Sequence, residues 1–189
     1  MTSVDTRTDR AARTHARIIE AAYLLFAERG YENVTVGRIA AEVGISEMTF
    51  FRHFPTKESL VVDDPYDPLM AEHVARQPQG VPLMCRVAAG IRAAWAAVPE
   101  PDASIVRTRL RIAAASPTLR AATRRANEAS ARGVAESLVS GGADPVDARI
   151  ASEAAFAGLT EALLSWAAHD ELELGEVIER ALRVLEGSR

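Results

Sequence analysis

Between Val34 and Leu60 the chain reads VTVGRIAAEVGISEMTFFRHFPTKESL. Over residues 46–53 this stretch sets two hydroxyls (Ser46, Thr49), a carboxylate (Glu47), a thioether (Met48), a guanidinium (Arg52) and an imidazole (His53) close together. That mixture suits the reading of base edges. Threonine can touch a thymine methyl or donate to a base, and a carboxylate can accept from cytosine N4. Bond-making chemistry finds no comparable set. A di-iron bundle needs Glu-x-x-His pairs, and none of His15, His53, His73 or His169 has a glutamate three residues before it. There is no glycine-rich phosphate loop and no nucleophile elbow. Cys85 is the only cysteine, so no intrachain disulfide or multi-cysteine metal site can form. Cys85 itself is read as a small buried hydrophobe. These residues predict a non-enzyme without cofactor or metal.

The elements that must position residues 46–53 follow from periodicity. Val36, Ile39, Ala40 and Val43 form one apolar helical face, and Thr35 precedes it as an N-cap, a hydroxyl able to accept an orphan backbone N–H. Gly44 supplies a tight turn, since glycine takes positive φ without a side-chain clash. Ser46 is the next expected N-cap. Ala40, Val43, Ile45 and Phe50 can then pack the two short helices together, with Phe50 and Phe54 assigned to core. Glu47, Met48, Thr49, Arg52 and His53 are left to project outward, as a helix-turn-helix would require for the major groove. Upstream, Arg10 to Arg29 is helical, with Ile18 or Ile19, Ala22, Leu25 and Phe26 at three-to-four spacing and Gly30 as its stop.

Residues 1–9 are polar and are expected to form a disordered arm. The run DDPYDP, residues 63–68, breaks the helix seeded by Pro55-Thr56-Lys57-Glu58, because proline disfavours helix at the preceding residue. Further helices are expected near 69–76, 82–97, 102–115, 117–139, 145–169 and 174–186. Pro82, Pro101, Pro117 and Pro145 lie near their starts. No strand alternation or short-period repeat is visible. The chain therefore reads as all-α: a three-helix N-terminal helix-turn-helix domain, residues 10–56, followed by a larger helical domain, residues 57–189.

Charge and hydropathy narrow the class further. The net charge of −4 argues against a generally basic nucleic-acid coat protein. Residues 1–60 carry eight basic and eight acidic side chains, so the excess negative charge lies downstream. A DNA-binding segment need not be basic overall if its cations share one face. The N-terminus is too polar for a signal peptide, and no apolar run approaches the roughly 20 residues of a membrane span. A cytoplasmic location is expected.

Residues 14–60 resemble the N-terminal domain of the tetracycline-repressor (TetR) family, through RIIEAA…LFAERGYENVTV, then RIAAEVGIS, then TFFRHFPTKESL. The match covers about a quarter of the chain. The resemblance implies DNA-binding roles for Thr35, Gly37, Ser46, Glu47, Met48, Thr49, Phe51, Arg52, His53 and Lys57. Thr35 and Gly37 open a helix that faces phosphates, where free N–H groups and the helix dipole suit an anion. Glu47, Met48 and Thr49 occupy the base-reading turn. Phe51, Arg52 and His53 align with backbone-contacting positions, and Lys57 with a phosphate-gripping lysine. Arg7, Arg10 and Arg13 are candidates for the DNA backbone or minor groove. Phe51 stands where the family commonly has tyrosine, which removes a hydroxyl from the contact set. Gly37 places no side chain where other members often carry a polar one.

The resemblance further implies a ligand-binding and dimerising C-terminal domain. On the helix near 145–169, Ala151, Ala155, Gly158 and Ala162 form a small-residue stripe, and Phe156, Leu159, Leu163 and Trp166 a larger one beside it. The last helix gathers Leu174, Val177, Ile178, Ala181 and Leu185 on one face. Ala151, Ala155, Gly158, Ala162, Leu174, Ile178, Ala181 and Leu185 are accordingly assigned to a four-helix dimer interface. Met84, Ile91, Trp95, Ile112, Phe156 and Trp166 are assigned to a ligand pocket for a small apolar or amphipathic molecule. The segment RTRLRIAAASPTLRAA resembles the C-domain of mycofactocin-type regulators, some of which sense acyl-coenzyme A esters. That likeness makes Arg107, Arg109 or Arg111 candidates for an acidic head group. The expected function is a ligand-responsive repressor acting as a homodimer on a pseudo-palindromic operator. The alternative is a helical small-molecule-binding or interaction protein with a vestigial DNA-binding domain.

Overall fold

A computed structural model of the chain describes residues 3–64, 66–169 and 172–187, with side chains from Arg10 onward. It contains helices and turns and, among the described residues, no strand. Among the described residues, ten α-helices follow one another: α1 (Ser3–Arg29), α2 (Val36–Val43), α3 (Glu47–His53), α4 (Ser59–Val62), α5 (Asp67–Ala75), α6 (Leu83–Ala96), α7 (Ala103–Ala115), α8 (Pro117–Ser140), α9 (Pro145–Ala168) and α10 (Leu174–Leu185). A 3-10 turn, Tyr31–Asn33, links α1 to α2. The all-α reading holds, and Pro117 and Pro145 are the first residues of their helices.

α1 starts seven residues before the expected Arg10, at Ser3, where a disordered arm was expected; Met1 and Thr2 lie outside the described residues. Extending an existing helix adds one hydrogen bond per residue fixed, so a polar segment can continue a helix that it could not nucleate.

Packing divides the chain into two units, one made of residues up to Asp63 plus Ile112–Arg120, the other of Asp64–Arg111 and Ala121–Arg189. The first unit thus runs past the expected boundary at residue 56 and takes in the junction of α7 and α8. Its core gathers Ile18, Ala22 and Phe26 of α1, Ile39 and Val43 of α2, Phe50, Phe54, Leu60, and Ile112 and Leu119 from the α7–α8 junction. Ser116 caps α8 by accepting from the Leu119 N–H at 3.1 Å and donates to the Glu32 carboxylate at 2.6 Å. The hydroxyls of Ser116 and then Thr118 hold the Glu32 carboxyl below its ordinary value.

In the second unit, Val74, Val87, Ile91, Val134, Leu138, Ala155, Phe156 and Leu182 form one core cluster. Trp166, Ala167, Leu174 and Val177 form another. α5 and α6 cross at Gly90, where an added Cβ would stand 2.7 Å from the Val74 backbone nitrogen. Arg92 on α6 clips α10 through both Glu179 (2.7 Å) and Glu186 (2.7 Å). α10 opens with a capping box between Glu173 and Glu176.

Candidate nucleic-acid interface

Local capping builds the interface as the residue types dictate. The Thr35 hydroxyl accepts from the Arg38 N–H at 3.2 Å and starts α2. Gly44 ends it at φ 74°, ψ 38°, the left-handed conformation that a Cβ disfavours. The Ser46 hydroxyl then accepts from the Thr49 N–H at 3.1 Å and lies 3.0 Å from the Thr49 hydroxyl, which starts α3. Phe50 is fully buried and Phe54 nearly so, and together they seat α3 on the core.

The opposite face of α3 is open. Met48 is 79% exposed and Phe51 47% exposed. Glu47 and Arg52 are exposed with them. Thr49 and His53 are half-buried. His53 lies 6.0 Å from His15 of α1, centroid to centroid, and His15 stacks on Phe54 at 4.3 Å. Burial, and then the His53 charge, lower the pKa of His15 below its ordinary 6.5. Gly37 sits in the first turn of α2, and the Glu47 carboxylate lies against it: a Cβ on Gly37 would be 2.6 Å from Glu47 Oε1. Arg10 and Arg13 are exposed on α1, while the side chain of Arg7 lies outside the described residues.

Lys57 departs from its expected place. Its ammonium donates to the carbonyl oxygens of Tyr31 and Val34, each at 2.9 Å, and stands 3.9 Å over the Tyr31 ring. Two of its three N–H groups are thus spent inside the unit. Burial, and then the Glu58 charge, push the Tyr31 phenol well above its ordinary range, so the ring beneath Lys57 is neutral. Two further ties escaped the sequence reading. Arg17 donates to the Val43 carbonyl at 2.8 Å, satisfying the end of α2, and the Tyr23 hydroxyl donates to Leu60 at 2.9 Å. Each joins residues too far apart in sequence for helical spacing to reveal.

The residues assigned to the ligand pocket are not brought together. Ile112 packs in the core of the first unit. Met84, Ile91 and Phe156 lie in one cluster of the second unit, and Trp95 and Trp166 in the other. The arginines proposed for an acidic head group are engaged within the second unit. Arg107 donates to the Trp166 and His169 carbonyls and stacks over the Trp166 ring, and Arg111 donates to the Ala167 carbonyl at 2.7 Å. They cap the carbonyl end of α9, where a cation is favoured. Arg109 pairs with Asp64 at 2.9 Å.

The dimer assignment needs a similar correction. Ala151, Ala155, Leu174 and Ala181 are buried within the subunit. Gly158 is closed over by Leu185 of the same chain, whose Cδ atoms would lie 3.1–3.2 Å from an added Cβ. Ala162, Ile178 and Leu185 are partly buried against the same clusters. The small-residue stripe lets α10 approach α9 closely, so the chain itself fills it. Open apolar surface on these two helices lies instead at Val146, Ile150 and Val184.

Two family models match the chain. One, described as bacterial regulatory proteins of the tetR family, covers residues 18–63, and the other, the MftR C-terminal domain, covers residues 81–189. An HTH-type transcriptional regulator of Staphylococcus aureus (strain USA300) is 46% identical over 50 residues. That segment spans 26% of this chain and only 27% of the relative. Among solved structures, a transcriptional regulator of the TerR/AcrR family from Aquifex aeolicus VF5 superposes with a TM-score of 0.56 at 21% identity, over 92% of this chain and 98% of that one. SmeT, the repressor of the Stenotrophomonas maltophilia multidrug efflux pump SmeDEF, gives 0.55 at 19% identity, over 92% and 88%. At these identities the likeness to solved structures concerns the fold. The family models, which between them cover the helix-turn-helix and the helical C-terminal region, carry the assignment: the chain belongs to the TetR family of bacterial regulatory proteins, with a C-terminal domain of the MftR type.

Proposed function

We propose that this protein is a cytoplasmic, ligand-responsive transcriptional repressor that binds a pseudo-palindromic operator as a homodimer, each subunit laying α3 in the major groove. The open face of α3 carries this reading. A seven-residue helix is anchored by buried Phe50 while Met48, Phe51, Glu47 and Arg52 stay exposed. Such a rod costs apolar exposure that folding alone does not reward. The unit of residues up to Asp63, with Ile112–Arg120 packed into it, serves as the DNA-binding domain, and the unit of Asp64–Arg111 and Ala121–Arg189 as the effector and dimerisation domain. Thr49 and Glu47 read bases, Arg52 and His53 hold the backbone, and the first turn of α2 at Thr35 and Gly37 meets a phosphate. Lys57 contributes at most its third N–H.

The homodimer reading draws support from the exposed apolar side chains Val146 and Ile150 of α9 and Val184 of α10. The effector is a small apolar or amphipathic molecule. Acyl-coenzyme A esters stay one candidate class, without a head-group role for Arg107, Arg109 or Arg111.

The test is binding of the full-length protein to a labelled duplex from upstream of its own coding region, across a salt series. Affinity should fall steeply as salt rises, because phosphate contacts release counterions. Thr49→Ala with Arg52→Ala should abolish sequence preference. Salt-independent binding, or unchanged affinity in the double variant, would leave the vestigial-domain reading in its place.

A further inference from the structure

Gly37 and Glu47 share one volume. A Cβ built on Gly37 would meet Glu47 Oε1 at 2.6 Å and Cδ at 3.6 Å, with the Thr35 hydroxyl 3.9 Å away. The missing side chain at position 37 is therefore the seat in which the Glu47 carboxylate rests. That seat lies over the first turn of α2, whose free N–H groups and dipole attract an anion. Glu47 is exposed, and no hydrogen bond fixes its carboxylate among the described residues. It rests there by shape alone and is free to leave.

We propose that Glu47 is a specificity-determining residue acting by exclusion: its carboxylate occupies the phosphate approach to α2 and yields only where the duplex offers it a donor. This rests on the reading of α2 and α3 as the DNA-binding elements. On arbitrary DNA, a phosphate arriving at Thr35 and Gly37 meets a like charge a few ångströms away. On a site with cytosine within reach, the carboxylate swings into the groove and accepts from N4, and the seat opens for phosphate. Repulsion on wrong sequences and reward on the right one then act through a single side chain. Glycine at position 37 is what stores the carboxylate.

The experiment uses full-length protein as wild type, Glu47→Gln, Gly37→Ala and the double variant. Glu47 is exposed, and the atom an alanine at 37 would displace is the tip of a flexible side chain, so all four should fold. Each selects duplexes from a randomised library. The wild-type winner and a shuffled duplex of the same composition are then titrated by fluorescence anisotropy. Glu47→Gln should tighten the shuffled duplex about tenfold while changing the selected one by less than about threefold, and should drop a cytosine preference from its own selection. The double variant should match Glu47→Gln, because the seat no longer matters once the charge is gone. A wild type that selects a sequence, with Glu47→Gln tightening both duplexes equally or neither, overturns the proposal and leaves the DNA-binding reading intact. A wild type that selects nothing and binds neither duplex overturns both.

Discussion

The ammonium of Lys57 donates to the Tyr31 carbonyl at 2.9 Å and lies 3.9 Å above the ring of the same residue. A second bond, to Val34, closes the 3-10 turn that delivers the chain into α2. Hydrogen bonds from a charged donor contribute about 1.5–3 kcal/mol, and the ring contact adds to them. Lys57→Met is therefore expected to lower stability by about 2 kcal/mol, a fall of about 5 °C in Tm. Thermal unfolding without DNA checks this. An unchanged Tm with weakened DNA binding would return Lys57 to a phosphate-gripping role.

Gly90→Ala should be among the most damaging single substitutions in the second unit. The new methyl would stand 2.3 Å from Val74 Cγ2 and 2.7 Å from the Val74 Cα and nitrogen. A side-chain tip can turn aside, but a helix backbone cannot, so α5 and α6 must separate. Overpacking of this kind costs about 3 kcal/mol or more. Urea unfolding of the variant should show a markedly lower midpoint; a midpoint within error of wild type would mean that the two helices are not held this close in solution.

These two sites mark where sequence reasoning stops. The helix periods, the Thr35 and Ser46 caps, the Gly44 turn and the Pro117 and Pro145 starts are local devices, each set by residues within four positions, and all were legible. Lys57 to Tyr31, Arg17 to Val43 and Tyr23 to Leu60 join a side chain to a backbone carbonyl 26 or 37 positions away. No periodicity encodes such a pairing. The α9 stripe fails differently. Alanine and glycine at helical spacing announce a close helix neighbour but not which one, and the chain's own α10 takes the place assigned to a mate. Arg107 and Arg111 read as ligand-facing until the carbonyl end of α9 is placed beside them.

Arg92→Lys is not a conservative change here. The guanidinium makes four hydrogen bonds, two to Glu179 and two to Glu186, using a planar fork that an ammonium lacks. Those bonds, Glu186 first, raise the Arg92 pKa further above its already high value, and Arg92 in turn lowers that of Glu179. The Arg92 side chain is 34% exposed, so screening by solvent trims the benefit. A loss of about 1 kcal/mol is expected, shrinking as salt is added. Denaturant midpoints at low and high salt measure both effects. Equal stability of the two proteins at low salt would show that the planar fork adds nothing that a lysine ammonium does not supply.

Acidification should loosen the first unit in two separable steps. His15 is stacked on Phe54 and faces His53, so its pKa in the folded protein lies below 6.5. Unfolding lets it take up a proton it refuses when folded. Stability is therefore full above about 6.5, falls as pH drops from there toward the folded value, and loses nothing more from this group below it. Glu32 and Glu58 have folded pKa values below their ordinary 4.5, Glu32 through Ser116 and Glu58 through a backbone N–H first. Their contribution is present above 4.5 and is lost only below it. The two windows do not overlap at their upper edges. Between about pH 6.5 and about pH 5 the decline in Tm should come largely from His15. His15→Phe keeps a ring against Phe54 while removing the titrating group, and should flatten that decline without altering the drop below 4.5. A His15→Phe variant with the wild-type slope over that range would show that His15 is not what senses the proton.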